Sequence, residues 1–177
     1  MRRVVLIGFM GAGKTTVGRA LAEKLRCTFH DLDDMIEQRE GQTVAQIFHS
    51  AGEPAFRRME SDALRDLLQD RKAGGDLILA LGGGAFVQAE NRAHLDRAGT
   101  ITILLEAPIR ELQRRCMAES KERPLAREQE RFAQLFAARQ ADYSLAQFRV
   151  QTENKAPHEV AAEIEELLKQ QQSGGRK

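Results

Sequence analysis

Lys14 and Thr15 close a glycine-rich stretch, GFMGAGKTT, that runs from Gly8 to Thr16. Small residues here let backbone N–H groups turn inward as a cradle for phosphate oxygens. A helix starting at the same point adds its positive N-terminal end. The spacing Gly8-x-x-x-x-Gly13-Lys14-Thr15 satisfies the phosphate-loop pattern, and its context is the required one. An apolar run, RVVLIG, precedes it and an amphipathic run, KTTVGRALAEKL, follows. Lys14 offers a point charge to the β and γ phosphates, and the Thr15 hydroxyl suits Mg²⁺. Gly11, Ala12, Gly13 and Thr16 complete the loop. A plain glycine turn is the bland alternative, and motif plus context argue against it. The stretch reads as a nucleoside-triphosphate site.

A second set of residues speaks to the acceptor. In HDLDDMIE, Asp31 and Asp33 are two apart at the end of an apolar run. On a strand end, residues i and i+2 face the same way, toward the ligand crevice of an open α/β sheet. Asp31 could support Mg²⁺ through water, and Asp33 could orient an attacking hydroxyl and take its proton. Asp34 caps or opens the next helix; all three acids could instead merely start that helix. In AFRRMES, Arg57 and Glu60 stand three apart, so Glu60 can fix the Arg57 fork for a carboxylate. Taken alone, the pair reads more readily as a helix-surface ion pair. LGGGA offers Gly82, Gly83 and Gly84, where backbone can approach a compact polar ligand. A strand-to-helix turn would explain one glycine more easily than three. CMAESKERPLAREQE is charged and poor in core residues, and reads as a mobile lid over about 116–128 carrying Arg123. Arg123 there could stabilise transferring charge, and Arg139 in AARQADY is a further anion-binding candidate. Without more context both are ordinary solvated arginines.

These residues need a scaffold. Strand-like runs occur at 3–8, 27–32, 77–82, 100–105 and 147–152, separated by helical patterns. Strands alternating with helices imply a parallel sheet covered on both faces. The helical stretch EPAFRRMESDALRDLLQD places Pro54 in its first turn. With 177 residues the chain suits one domain, here 1–170, followed by a polar tail over 171–177 expected to be disordered. A formal charge of +1 gives no electrostatic case for nucleic acid or membranes. Two cysteines, Cys27 and Cys116, suit structural thiols in a reducing compartment, so the expected location is the cytoplasm. A GTPase would need N-K-x-D, and NKAP at 154–157 lacks the aspartate. A motor would end a later strand in Asp, whereas LILALGGG ends in glycines. A kinase of a small acceptor fits best.

The ordered set GFMGAGKTTVGRALA, DLDDMIEQREG, IF..AGE.AFRRME, LGGGA, RPL and R...Y resembles the shikimate kinases over about residues 3–168. The resemblance implies a P-loop fold of the nucleoside monophosphate kinase type, a five-stranded parallel sheet and a lid. It also implies transfer of the ATP γ-phosphate to the 3-hydroxyl of shikimate by a monomer using Mg²⁺. Carried over by position, Gly11 to Thr16 hold the phosphates, Thr15 ligates the metal and Asp31 supports it. Asp33 meets the reacting hydroxyl, Arg57 and Arg139 hold the carboxylate, and Gly82 to Gly84 line the ring. Arg123 reaches ATP, and Arg115, Lys155 and Pro157 fall near adenine. Phe48 and Phe56 would wall the ring pocket, or serve as core. A kinase of another small hydroxylated acid, such as gluconate, is the alternative. Two departures stand out. RPLA lacks a common second leucine, which predicts weaker lid packing. RQADY lacks the proline that usually precedes the residue before the tyrosine, which predicts a looser hold on Arg139.

Overall fold

The computed structural model describes residues 2–69, 76–118 and 129–174, with side chains through 171. Its strands are β1 (Arg3–Ile7), β2 (Thr28–Asp31), β3 (Leu77–Ala80), β4 (Ile101–Glu106) and β5 (Phe148–Gln151). They form one sheet in the order β2-β3-β1-β4-β5, and every neighbouring pair is parallel. In β1, Val4, Val5, Leu6 and Ile7 are all buried, so both faces of the central strand are covered. β3 is buried along its whole length, while the edge strands β2 and β5 are partly exposed.

The helices among the described residues are α1 (Lys14–Leu25), α2 (Leu32–Glu40), α3 (Val44–Gln69), α4 (Ala89–Arg97), α5 (Ile109–Ala118), α6 (Gln129–Tyr143) and α7 (Pro157–Gly174). α1 turns Val17, Gly18, Leu21 and Ala22 inward and packs against α7. α3 packs on α2 and α4, and α5 on α6. None of the described helices is long and apolar enough to cross a membrane.

The structure refines the sequence reading in four places. α3 begins at Val44 and is broken at Gly52 (φ 79°, ψ 167°), so Pro54 does open the second half. α4 had no counterpart in the sequence reading, because its buried residues, Asn91 and Leu95, give no clear apolar stripe. α5 continues through Ala118 with Cys116 buried, so 116–118 are helical; 119–128, with Arg123, lie outside the described residues. The backbone of α7 stays helical through Gly174, past the expected start of the tail at 171. Its three consecutive glutamines are good helix formers.

All five strands being parallel, their C-terminal ends share one edge. β1 sits between β3 and β4 there, where chain order reverses, the usual ligand crevice of such sheets.

Candidate functional site

The turn after β1 enters α1 through Gly13, whose φ of 88° lies in the left-handed region that favours glycine. A Cβ at Gly11 would meet Leu112 O at 2.5 Å and Cys116 Sγ at 2.9 Å, so α5 packs directly on the loop. Lys14, first residue of α1, curls back and donates from Nζ to the Gly8 and Phe9 carbonyls at 2.9 and 3.2 Å. Thr16 Oγ1 donates to Gly13 O at 3.0 Å. Thr15 Oγ1 donates to Asp31 Oδ2 at 2.7 Å, which ties the phosphate loop to the end of β2.

Asp31 has a second task. Its Oδ1 accepts from the Asp33 backbone N–H at 3.2 Å, making it the N-cap of α2. Asp33 is therefore in the first turn of a helix rather than on the strand. The two carboxylates are brought together by a cap, not by the strand pleat expected from their spacing. Asp34 lies in the same first turn, as expected of a helix opener. Burial, reinforced by the Asp31 charge, pushes the Asp33 carboxyl up to about 6 against the pull of Lys14 and Arg57.

Arg57 and Glu60 form far more than a surface pair. Glu60 is fully buried and accepts on Oε2 from Arg57 Nη1 at 2.9 Å and from Gln88 Nε2 at 2.8 Å. Burial lifts its carboxyl to about 7 although Arg57 opposes the shift. Arg57 also donates from Nε and Nη2 to Glu53 Oε1, at 3.2 and 2.9 Å. Its guanidinium lies 5.4 and 6.0 Å from the Phe56 and Phe48 ring centres, and these rings pack 4.7 Å apart. Phe56 is buried and Phe48 half-buried, so both support Arg57 as well as the core.

The glycine triplet after β3 joins these parts. A Cβ on Gly82 would lie 2.5 Å from Asp33 Oδ1 and 3.0 Å from Glu60 Oε1. On Gly83 it would lie 2.9 Å from Arg139 Nη1, and on Gly84 2.6 Å from Arg57 Cζ. Each glycine thus gives way to one charged side chain of the expected site. Arg139, on α6, also lies 5.6 Å from the Phe9 ring centre. Tyr143, one turn later, donates its hydroxyl to Gly83 O at 2.6 Å. Burial pushes that phenol up to about 12, with the Arg139 guanidinium pulling the other way.

Arg115 donates from Nη2 and Nη1 to Thr152 O and Oγ1, at 2.8 and 3.1 Å, and its Nη1 reaches Gly11 O at 3.5 Å. Glu111 holds it from behind at 2.7 Å. It therefore bridges the phosphate loop and the turn after β5. Lys155 stands in that turn with its ammonium on Glu163 Oε2 at 2.5 Å, and Pro157 opens α7. Phe9, Glu53, Gln88 and Tyr143 escaped the sequence reading as working residues. Phe9 occupies a variable position of the loop pattern, and Gln88 acts only through Glu60. The chain's one tyrosine was visible in the motif but carried no role.

The sequence pattern of the family described as "Shikimate kinase" matches residues 10–169. A shikimate kinase of Geobacter metallireducens is 38% identical over 167 residues, covering 93% of this chain and 90% of its own length. The structure described as "Shikimate kinase from Acinetobacter baumannii in complex with shikimate" superposes with a TM-score of 0.86 at 35% identity, covering 100% of this chain and 96% of the other. A gluconokinase from Sinorhizobium meliloti superposes at 0.60 with 16% identity, covering 96% of this chain and 97% of its own, a likeness of fold alone. Sequence pattern, curated relatives and closely similar structures agree with the glycine-lined site: the chain belongs to the shikimate kinase family.

Proposed function

We propose that this chain transfers the γ-phosphoryl group of ATP to the 3-hydroxyl of shikimate, giving shikimate 3-phosphate and ADP. The observation that carries the reading is the glycine triplet, with one glycine facing each of Asp33, Arg139 and Arg57. A carboxylate at one end of a bare floor and two guanidinia beyond it match a compact ring with a reactive hydroxyl and a carboxylate. The gluconokinase likeness is one of fold alone.

The roles follow from chemistry. The phosphate loop, Gly11 to Thr16, cradles the ATP phosphates, and Lys14 moves from its loop carbonyls to the transferring group. Thr15 and Asp31 already share one spot, a hydroxyl beside a carboxylate, which fits Mg²⁺ held mostly by phosphates and water. Bound there, Mg²⁺ would neutralise phosphate charge. Asp33 orients the acceptor hydroxyl. As the new O–P bond forms and the bond to ADP breaks, the hydroxyl proton passes to the Asp33 carboxylate. Arg57 and Arg139 bind the acceptor's carboxylate, and Arg115 steadies the wall on the nucleotide side. Arg123 and Lys155 remain proposed ATP contacts. We infer a monomer working in the cytoplasm. Two unbridged thiols support the compartment, and among the described residues Met117 and Leu145 are the large apolar side chains left exposed.

The direct test is ADP release from MgATP with shikimate, with gluconate and with no acceptor. Shikimate-dependent turnover is expected, and release indifferent to shikimate would overturn the acceptor reading. Asp33→Asn should lower kcat about 100-fold or more while MgATP affinity stays within about twofold. Gly84→Ala should displace Arg57 and raise KM for shikimate about tenfold, leaving KM for MgATP unchanged. The raised Glu60 carboxyl also predicts a stability trend in the ligand-free protein. Its folded value lies above its unfolded one, so its contribution is complete at about pH 4 and lost as pH rises to about 7. Glu60→Gln cannot lose a proton, so its melting temperature relative to wild type should rise between about pH 5 and pH 8 in thermal melts.

A further inference from the structure

The segment after Arg139 carries Gln140, Ala141 and Asp142 before Tyr143. The Ala141 side chain is exposed, and its carbonyl accepts from Ser144 Oγ at 2.6 Å. Asp142, on the same side of α6 as Arg139, is tied to the loop after β3.

Asp142 accepts from Arg92 Nη1 at 2.9 Å, with the two side chains only 26% and 21% exposed. The same nitrogen donates to the carbonyls of Phe86 and Val87, each at 2.7 Å, and the guanidinium lies 6.0 Å from the Phe86 ring centre. Phe86 and Val87 continue the chain just past the glycine triplet, so Arg92 grips the far end of the floor and α6 together. At the near end, Tyr143 binds Gly83 O. Arg139 precedes Asp142 by three residues and Tyr143 by four, so the three share one side of the helix. The Arg139 guanidinium lies between the Phe9 ring and Gly83. An isolated surface pair would be worth little. Here the Arg92 side chain is already ordered by two carbonyls and a ring, so capturing Asp142 costs little further entropy.

We infer that the Arg92–Asp142 ion pair fixes α6 against the glycine floor and so positions Arg139 for the acceptor's carboxylate. Arg92 and Asp142 are positioning residues and touch neither substrate. The inference rests on the reading that Arg139 binds that carboxylate.

The test measures kcat and both KM values for Asp142→Ala, Asp142→Asn, Arg139→Ala and the Asp142→Ala/Arg139→Ala double variant, with thermal midpoints. Asp142→Ala should raise KM for shikimate about tenfold, with kcat and KM for MgATP within about twofold. In the Arg139→Ala background it should add nothing, because Asp142 acts through Arg139. Asp142→Asn keeps the shape and one acceptor oxygen, and should raise KM for shikimate about threefold even if the alanine variant fails to fold. An unchanged KM for shikimate in the Asp142 variants, equal rises in both KM values, or full additivity with Arg139→Ala would each overturn the inference. If Arg139→Ala itself left KM for shikimate unchanged, the assignment of Arg139 to the carboxylate would fall first, taking the inference with it.

Discussion

One carboxylate and two guanidinia, from three helices, reach one loop only because that loop has no side chains of its own. Asp33 comes from α2, Arg57 from α3 and Arg139 from α6, and any Cβ at Gly82, Gly83 or Gly84 would occupy space that one of them fills. The requirement propagates backward into the sheet. β3 must lie between β2, which leads to Asp31, and β1, which leads to the phosphate loop. That order sets the glycine floor beside the phosphate loop, so donor and acceptor sites adjoin on one edge. A strand order that separated β1 from β3 would leave both sites intact and useless to each other.

Charge balance gives the two arginines different characters. Arg57 is held by buried Glu60 and exposed Glu53, so much of its charge is already compensated. It offers directed N–H groups more than a net field. The neighbours the structure gives Arg139 are a ring, a phenol and a glycine. It has less to offset its charge than Arg57 has. Glu60 leaves one oxygen without a partner while Oε2 accepts twice, an imbalance consistent with the upward shift of its carboxyl. Gln88, donating to the same Oε2, opposes that shift. It stands at the N-cap of α4 yet makes no side-chain cap, and its amide serves Glu60 instead.

Much of this was legible in the residues. The phosphate-loop pattern, the parallel sheet and α1 follow from spacing, since backbone geometry near a strand end leaves few alternatives; Arg57 with Glu60, taken alone, read as a surface pair and proved partly buried. What escaped was of two physical kinds. Weakly amphipathic elements such as α4 have almost no periodic signal, because loop carbonyls and polar contacts hold them instead of an apolar stripe. Support groups distant in sequence, such as Gln88 for Glu60 or Arg92 for Asp142, have no spacing that betrays them. The i+2 rule joined Asp31 and Asp33 through a strand pleat, whereas the structure joins them through a helix cap. A side-chain cap ended the strand at Asp31, and sequence spacing cannot distinguish a cap from a pleat.

That cap has a consequence for how the metal side and the acceptor side of the site are built. Asp31 is at once the last residue of β2, the N-cap of α2 and the partner of Thr15. Through Oδ2 it addresses the phosphate loop, and through Oδ1 it fixes the backbone N–H of Asp33, the residue assigned to the acceptor hydroxyl. A carboxylate with both oxygens committed has little rotational freedom. A shift of α1 that moved Thr15 would therefore turn Asp31 and with it the first turn of α2. Donor loop and acceptor carboxylate are joined by one side chain of two hydrogen bonds, not by the sheet alone. Proximity of this kind suits direct transfer between two bound substrates, where small errors of alignment cost large factors in rate.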